Sequence, residues 1–295
     1  MQTSVVAVRS ILTRSAGFLK TVCSHSLQPY RGCPFGKSLC GVGCYVRHNG
    51  WITRQRPWGT FLEVKQNAAE VYRQTVDRER TWARANDGSF TIFLSSSTEP
   101  FPPQELRLGI TRGLLEAMLE VPPDGLIIQT HSPRVVKALP VLVQLARRCA
   151  LRCHVSIESD RDRLPGLPPP AATVAARFAA AEALKQAGLE VVITVSPLLP
   201  IANPNQFFAR VAQAAHGVVL DHFIGGDGSA LGTRTQKTAL PAAMAAVEPA
   251  SVQLAYRDAM ASLAERYLPG RVGTHIHGFA GRWGPPETRA GEALS

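Results

Sequence analysis

Residues Gly125–Ile157, GLIIQTHSPRVVKALPVLVQLARRCALRCHVSI, carry two kinds of periodicity in one stretch. Gly125–Thr130 is a short apolar run rich in isoleucine, Arg134–Arg148 repeats its apolar residues with a helical period, and Leu151–Ile157 is a second buried strand. Strand, helix and strand in succession imply a crossover connection between parallel strands. The pattern continues on both sides. Ser89–Ser95, Leu189–Ser196 and Gly217–Phe223 read as further strands, and Ala68–Arg84, Pro103–Leu119, Ala171–Ala187, Gln206–Ala214 and Ser251–Tyr267 as helices. An α/β fold follows, either an open doubly wound sheet or a full or partial barrel. Polar residues collect at the carboxyl ends of the strands: Ser95 to Glu99, Thr130 and His131, Ser156 and Glu158, Ser196, then Asp221 and His222. Ligands bind at that end in such folds, although a lone serine there also serves as a helix N-cap.

The chain has 295 residues and is 45% hydrophobic, enough for one large α/β domain. It has no uninterrupted apolar run of about 18 residues, so no membrane span is expected. Its net charge of +10 is unevenly spread: residues 1–85 hold 13 Lys/Arg against Glu63, Glu70, Asp77 and Glu79. Such a basic first third admits nucleic acid or another anionic partner, and equally a solvated face. The Arg/Ser-rich start resembles a transit peptide but runs on without a cleavage-like break. Six cysteines in a chain of this length do not form a secreted disulfide framework, so a cytoplasmic location is expected.

Half of those cysteines lie in QPYRGCPFGKSLCGVGCYV, Gln28–Val46, as Cys33, Cys40 and Cys44. Three thiolates suit an iron–sulfur cluster with one iron left open to a small molecule. Structural zinc wants four ligands, and Cys23, His25 or His48 could supply the fourth. A ferredoxin-like carrier is disfavoured by three thiolates and by a fold larger than a carrier needs.

With PYRGC leading into the cysteines, the motifs SSSTEPFPPQE, LGITRGLLEAMLE, IIQTHSPRV, VSIESD and VSPLLP follow in order. Together, from about Ser24 to Gly225, they resemble the radical S-adenosylmethionine superfamily, specifically its spore photoproduct lyase-like family. The resemblance implies a partial (β/α)6 TIM-type barrel of parallel strands over 1–270 with the cluster loop at 28–48, and a tail over 271–295. Its first strand would lie near Phe18–Ser24. It further implies a [4Fe-4S] cluster on Cys33, Cys40 and Cys44, whose fourth iron binds S-adenosylmethionine. Reductive cleavage of that cofactor would generate a 5′-deoxyadenosyl radical for hydrogen abstraction. Ser96, Ser97, Thr98, His131, Ser156 and Ser196 would contact S-adenosylmethionine, Tyr45 would flank the cluster, and Glu158 and Asp221 would meet ribose hydroxyls. Electrons would come from a donor such as flavodoxin or ferredoxin, and nucleic acid is among the substrates implied.

Two departures qualify the resemblance. The superfamily's usual C-x3-C-x2-C is here C-x6-C-x3-C, and His131 stands where many relatives have lysine. Spore photoproduct lyase proper also has a cysteine at the strand end where this chain has Ser95, so thymine-dimer repair by that route is not expected. The alternative reading is a zinc-containing nucleic-acid-binding protein without catalysis, with Trp51 and Trp58 as stacking partners or as core. His275 and His277 form an H-x-H read as part of an ordinary terminal strand or loop.

Overall fold

Apolar residues at alternate positions, with both faces buried, set the main sheet. The computed structural model describes residues 1–284. Its strands are β1 (Gln2–Val6), β2 (Leu12–Arg14), β3 (His25–Leu27), β4 (Tyr30–Arg31), β5 (Phe61–Lys65), β6 (Thr91–Leu94), β7 (Gly125–Thr130), β8 (Ala150–Ser156), β9 (Glu190–Val195), β10 (Gly217–Leu220) and β11 (Val272–Thr274). Eight of them form one sheet in the order β11-β10-β9-β8-β7-β6-β3-β2. Every neighbouring pair from β3 to β11 is parallel, and only β2 runs antiparallel at its edge. Since β11 and β2 are not paired with each other, the sheet is an open, partial barrel.

Alternation sorts the side chains between two cores. Ile92, Leu94, Leu126, Ile128, Val191 and Ile193 join the large cluster beneath the helices. Phe93, Ile127, Val192 and Val219, from the intervening positions, form the inner cluster with Cys23 and Phe279. The helices that follow the strands include Ala68–Asp87, Val174–Gln186 and Pro204–Ala214. The expected helix over Pro103–Leu119 is interrupted at Gly109, which has φ +61°, giving Glu105–Leu108 and Ile110–Glu120.

Three expectations change. The first parallel strand is His25–Leu27, pairing with β6, because Phe18–Ser24 does other work. Gly17–Thr21 is a 3-10 turn whose Leu19, with Val22, plugs the inner cluster, while Phe18 packs edge-on against His275 and Phe279. Second, residues 271–284 are not a tail: β11 completes the sheet beside β10, and His275–Phe279 is a helical turn. The part of the expected tail from 285 to 295 lies outside the described residues. Third, a small sheet in the order β1-β5-β4 was not foreseen. It anchors the cysteine loop. Tyr30 on β4 is fully buried and donates a hydrogen bond to Glu105, and a Cβ at Gly32, which has φ +83°, would meet the Phe61 carbonyl oxygen at 2.3 Å. Among the described residues no helix is long and apolar enough to cross a membrane.

Candidate functional site

The wide cysteine spacing is taken up by helical turns. Cys33 precedes a 3-10 turn, Pro34–Lys37, begun by proline; Cys40 lies within Leu39–Gly43; and Cys44 ends that helix one turn later. The turns are packed backbone to backbone. A Cβ at Gly41 would sit 2.2 Å from the Gly36 carbonyl carbon, a contact only glycine permits. Leu39 N–H donates to the Pro169 carbonyl at 3.0 Å, and the Tyr45 hydroxyl to the Ser96 carbonyl at 2.5 Å. The last bond ties the loop to the end of β6.

All three cysteines line one cavity of about 250 Å³, together with the carboxyl ends of β6 to β10. Tyr45, Ser96, Ser97, Thr98, His131, Ser156, Glu158 and Ser196, the residues the resemblance singled out, also line it, as does Asp221. Gln28 fixes the β6 end by donating to Ser96 Oγ at 2.8 Å and accepting from Ser97 N–H at 3.4 Å. Ser95, in the left-handed region at φ +69°, is buried with no hydrogen-bond partner for its Oγ. One side chain that sequence reasoning missed, Gln129, bridges the next strands. Its Nε2 donates to Ser156 Oγ at 2.5 Å and Thr194 Oγ1 at 2.8 Å, and its Oε1 is left without a partner. Two buried polar atoms in one cavity wall with nothing to bond are what a polar ligand would satisfy.

Charge in the wall is held by neighbours. The Glu99 carboxylate accepts from Thr130 Oγ1 at 2.6 Å and from the N–H groups of Phe101 and His131, each at 2.9 Å. Burial nevertheless lifts its carboxyl above the usual carboxylate range. Glu158 is opposite in sign. Burial alone would push it up, but Arg177 at 2.5 Å and His131 at 3.0 Å hold it well below that range. Arg177 donates to Glu158 Oε2, whereas Oε1, 3.0 Å from His131 Nε2, is buried without a well-formed hydrogen bond and stays open to a ligand hydroxyl. Arg177, itself buried, was legible as the one arginine within the apolar VAARFAAA segment.

The thiols depend on one another. Burial raises Cys33, Cys40 and Cys44 above the ordinary thiol range; at Cys40 the other two thiols add to it, and at Cys44 the backbone N–H groups of Val46 and Arg47 partly offset it. A bound cation would reverse the balance, since metal-bound thiols are deprotonated. The donor set therefore fits a cationic cluster. No group of three or more His, Cys, Asp or Glu among the described residues is gathered tightly enough for a single metal ion, as tetrahedral zinc would require. Nor do Cys23 and His25 lie ready as a fourth ligand. Cys23 is in the inner apolar cluster with its sulfur 3.2 Å from Ser15 Oγ, and His25 bonds Ser24 and Glu79. His275 and His277 occupy a helical turn and not a strand, and His275 Nδ1 lies 3.1 Å from Asp221 Oδ1. Trp51, weighed as core, is 93% exposed, while Trp58 lines the cavity.

No family model matches the chain. Uncharacterized proteins of Mycobacterium tuberculosis and Mycobacterium bovis are each 28% identical over 184 residues, 60% of this chain and 50% of theirs. The chain thus spans about half the length of the curated relatives it matches. Among solved structures, a spore photoproduct lyase double mutant with bound AdoMet and dinucleoside spore photoproduct superposes with a TM-score of 0.62 at 14% identity, covering 92% of this chain and 81% of that one. A single mutant of the same lyase with the dinucleoside gives a TM-score of 0.62 at 15% identity, covering 92% and 80%. The fold of the chain, a mostly parallel α/β partial barrel, is that of spore photoproduct lyase.

Proposed function

We propose that the chain is a radical S-adenosylmethionine enzyme. Cys33, Cys40 and Cys44 would hold a [4Fe-4S] cluster, with S-adenosylmethionine bound between it and the strand ends. The observation that carries the reading is the single cavity: three cysteines line one wall and unpartnered Ser95 and Gln129 oxygens the other. When bound, the two cofactors supply reductive sulfonium cleavage and a 5′-deoxyadenosyl radical for hydrogen abstraction.

The protein's own residues then have distinct tasks. Tyr45 fixes the spacing between the cysteine wall and the β6 end through its bond to Ser96. Ser96, Ser97 and Thr98 offer hydroxyls and backbone N–H groups to the cofactor's polar end. His131, braced by Glu158 and by Glu99, presents a ring where a cation is usual in relatives, and Ser156 and Ser196 line the deeper strand ends. Phe93 and Phe279 close the floor with apolar surface, which keeps water from the radical. Around His48, Arg47, Lys237 and Arg234 all lie close enough to push its imidazole down after burial does so. These three cations, with Asp227 among them, leave a net basic neighbourhood that suits an anionic substrate, nucleic acid being one. Ser95, in place of the lyase's cysteine, sets the reaction apart from the lyase's hydrogen-return step. All six cysteines are unpaired, which suits a reducing cytoplasm.

Anaerobic reconstitution with iron and sulfide, then dithionite and S-adenosylmethionine, tests the proposal. 5′-Deoxyadenosine is expected from the intact chain and none from Cys40→Ala. A reconstituted cluster that yields no 5′-deoxyadenosine would overturn the enzyme reading.

A further inference from the structure

Behind Cys44 a line of aromatic contacts leads out to a compact arginine face. Trp58 lines the same cavity wall as Cys44, and its ring packs edge-on against Phe61 at 6.1 Å. The Arg56 guanidinium lies over the Phe61 ring, 3.7 Å from its centre. Arg56 is in turn 2.6 Å from Glu63, and that one carboxylate also takes Arg31 at 3.2 Å and Arg54 at 3.7 Å. Three guanidiniums therefore share a single negative charge, leaving the face about +2. Arg54 is 61% exposed, and on the short helix before it Trp51 presents 93% of its surface to solvent.

Two features of this face select its partner. Its cations converge on one carboxylate and form a patch, whereas a nucleic acid is tracked by cations spread along its backbone. Its inward connection runs through Phe61 and Trp58 to the cavity that Cys44 lines, a short path for an electron. An exposed indole within a positive field suits a small, weak and salt-sensitive encounter with an acidic protein, the usual character of redox partnerships.

We propose that the face formed by Trp51, Arg31, Arg54 and Arg56 docks a small acidic one-electron carrier protein, whose electron enters the site past Trp58 at Cys44. This rests on the iron–sulfur reading above. The step moves one electron: the reduced carrier is oxidised by one, the iron–sulfur group is reduced by one, and no bond or proton is exchanged.

The test titrates a bacterial flavodoxin onto the full chain, as purified anaerobically, at low and high salt. Binding should weaken with salt and fall about tenfold or more in the double variant Trp51→Ala/Arg54→Gln. Both positions are exposed, so the thermal melting curve should not move. In reconstituted protein, the rate of reduction by reduced flavodoxin should fall by a similar factor, and reduction by dithionite should not. Unaltered flavodoxin binding in the double variant, or none in the parent chain, would overturn the docking assignment. So would a single-stranded oligonucleotide whose binding is lost in the variant while flavodoxin's is kept. A chain that takes up no iron would sink the cluster reading instead, and the titration would still report on the docking face.

Discussion

The cavity has two walls built on different principles. The strand-end wall takes its positions from a register extending across seven parallel strands, backed by apolar clusters on both faces. The cysteine wall is three short turns, Pro34–Lys37, Leu39–Gly43 and Tyr45–His48, fastened by single contacts such as Gly41 on Gly36 and Tyr45 on Ser96. Stiffness in the first wall is collective, and in the second it is assembled contact by contact. A substitution in the strand-end wall should alter chemistry or charge within an intact frame. One in the cysteine wall should move the ligands themselves.

The largest effect expected is on the thiols. Cys33→Ala, Cys40→Ala and Cys44→Ala should each abolish bound iron and the reduced electron paramagnetic resonance signal, whereas Cys23→Ala should keep both, its sulfur being packed in the inner core. A Cys40→Ala protein with a full reducible cluster would show that the long spacing places a different ligand.

On the strand-end wall, Arg177→Met removes the buried partner of Glu158 and should cost about 3–5 kcal/mol at neutral pH. The Glu158 carboxyl is held low in the folded chain, so its contribution is present above its unfolded pKa of about 4.3 and is lost as pH falls below that. The urea midpoints of parent and variant should therefore be far apart at neutral pH and converge in acid. Midpoints that keep a constant gap would assign the loss to packing and not to charge.

Gly41→Ala sharpens the contrast on the other wall. The added carbon would overlap the Gly36 backbone at 2.2 Å, and about 2–3 kcal/mol of destabilisation is expected with a clear loss of iron uptake. Gly113→Ala, in Ile110–Glu120 with nothing nearer than 3.9 Å, should instead be neutral or stabilise by about 0.5–1 kcal/mol. Thermal melts of the two variants decide it, and equal behaviour would show that the Gly41 contact does not hold the cysteine wall in place.

Trp58→Phe should do least. It keeps an aromatic ring and removes an N–H donor from the cavity wall that also holds Cys44, so the potential of a cluster bound there should fall by about 40 mV, the equivalent of about 1 kcal/mol for one electron. A redox titration monitored by electron paramagnetic resonance measures this, and an unmoved potential would mean the indole does not reach the sulfur.

The same division explains what could be read in the amino-acid sequence. β6 to β10 are legible because a strand buried on both faces is a dense apolar run, and its polar carboxyl end stands out at once. Gln129 was also within reach: alternation from Ile127 places it on the inner face, but a lone glutamine beside Thr130 draws no notice. The small sheet was not legible, because Gln2–Val6 and Tyr30–Arg31 find their partner only in Phe61–Lys65, far along the chain. β11 is three residues with a central glycine, too short to show a period. Phe18–Ser24 misled because its apolar residues plug the barrel rather than join it. The cysteines were conspicuous as residue types, yet their convergence depends on turns and glycine contacts that leave no periodic trace.

The central claim is that three loop cysteines hold a cluster whose remaining iron is open to S-adenosylmethionine. The most direct measurement is the electron paramagnetic resonance spectrum of the reconstituted, reduced chain before and after S-adenosylmethionine is added, alongside its iron and zinc content. About four irons per chain and a signal whose shape changes with the cofactor are expected. A spectrum indifferent to S-adenosylmethionine, or a colourless protein carrying zinc in place of iron, would contradict the account.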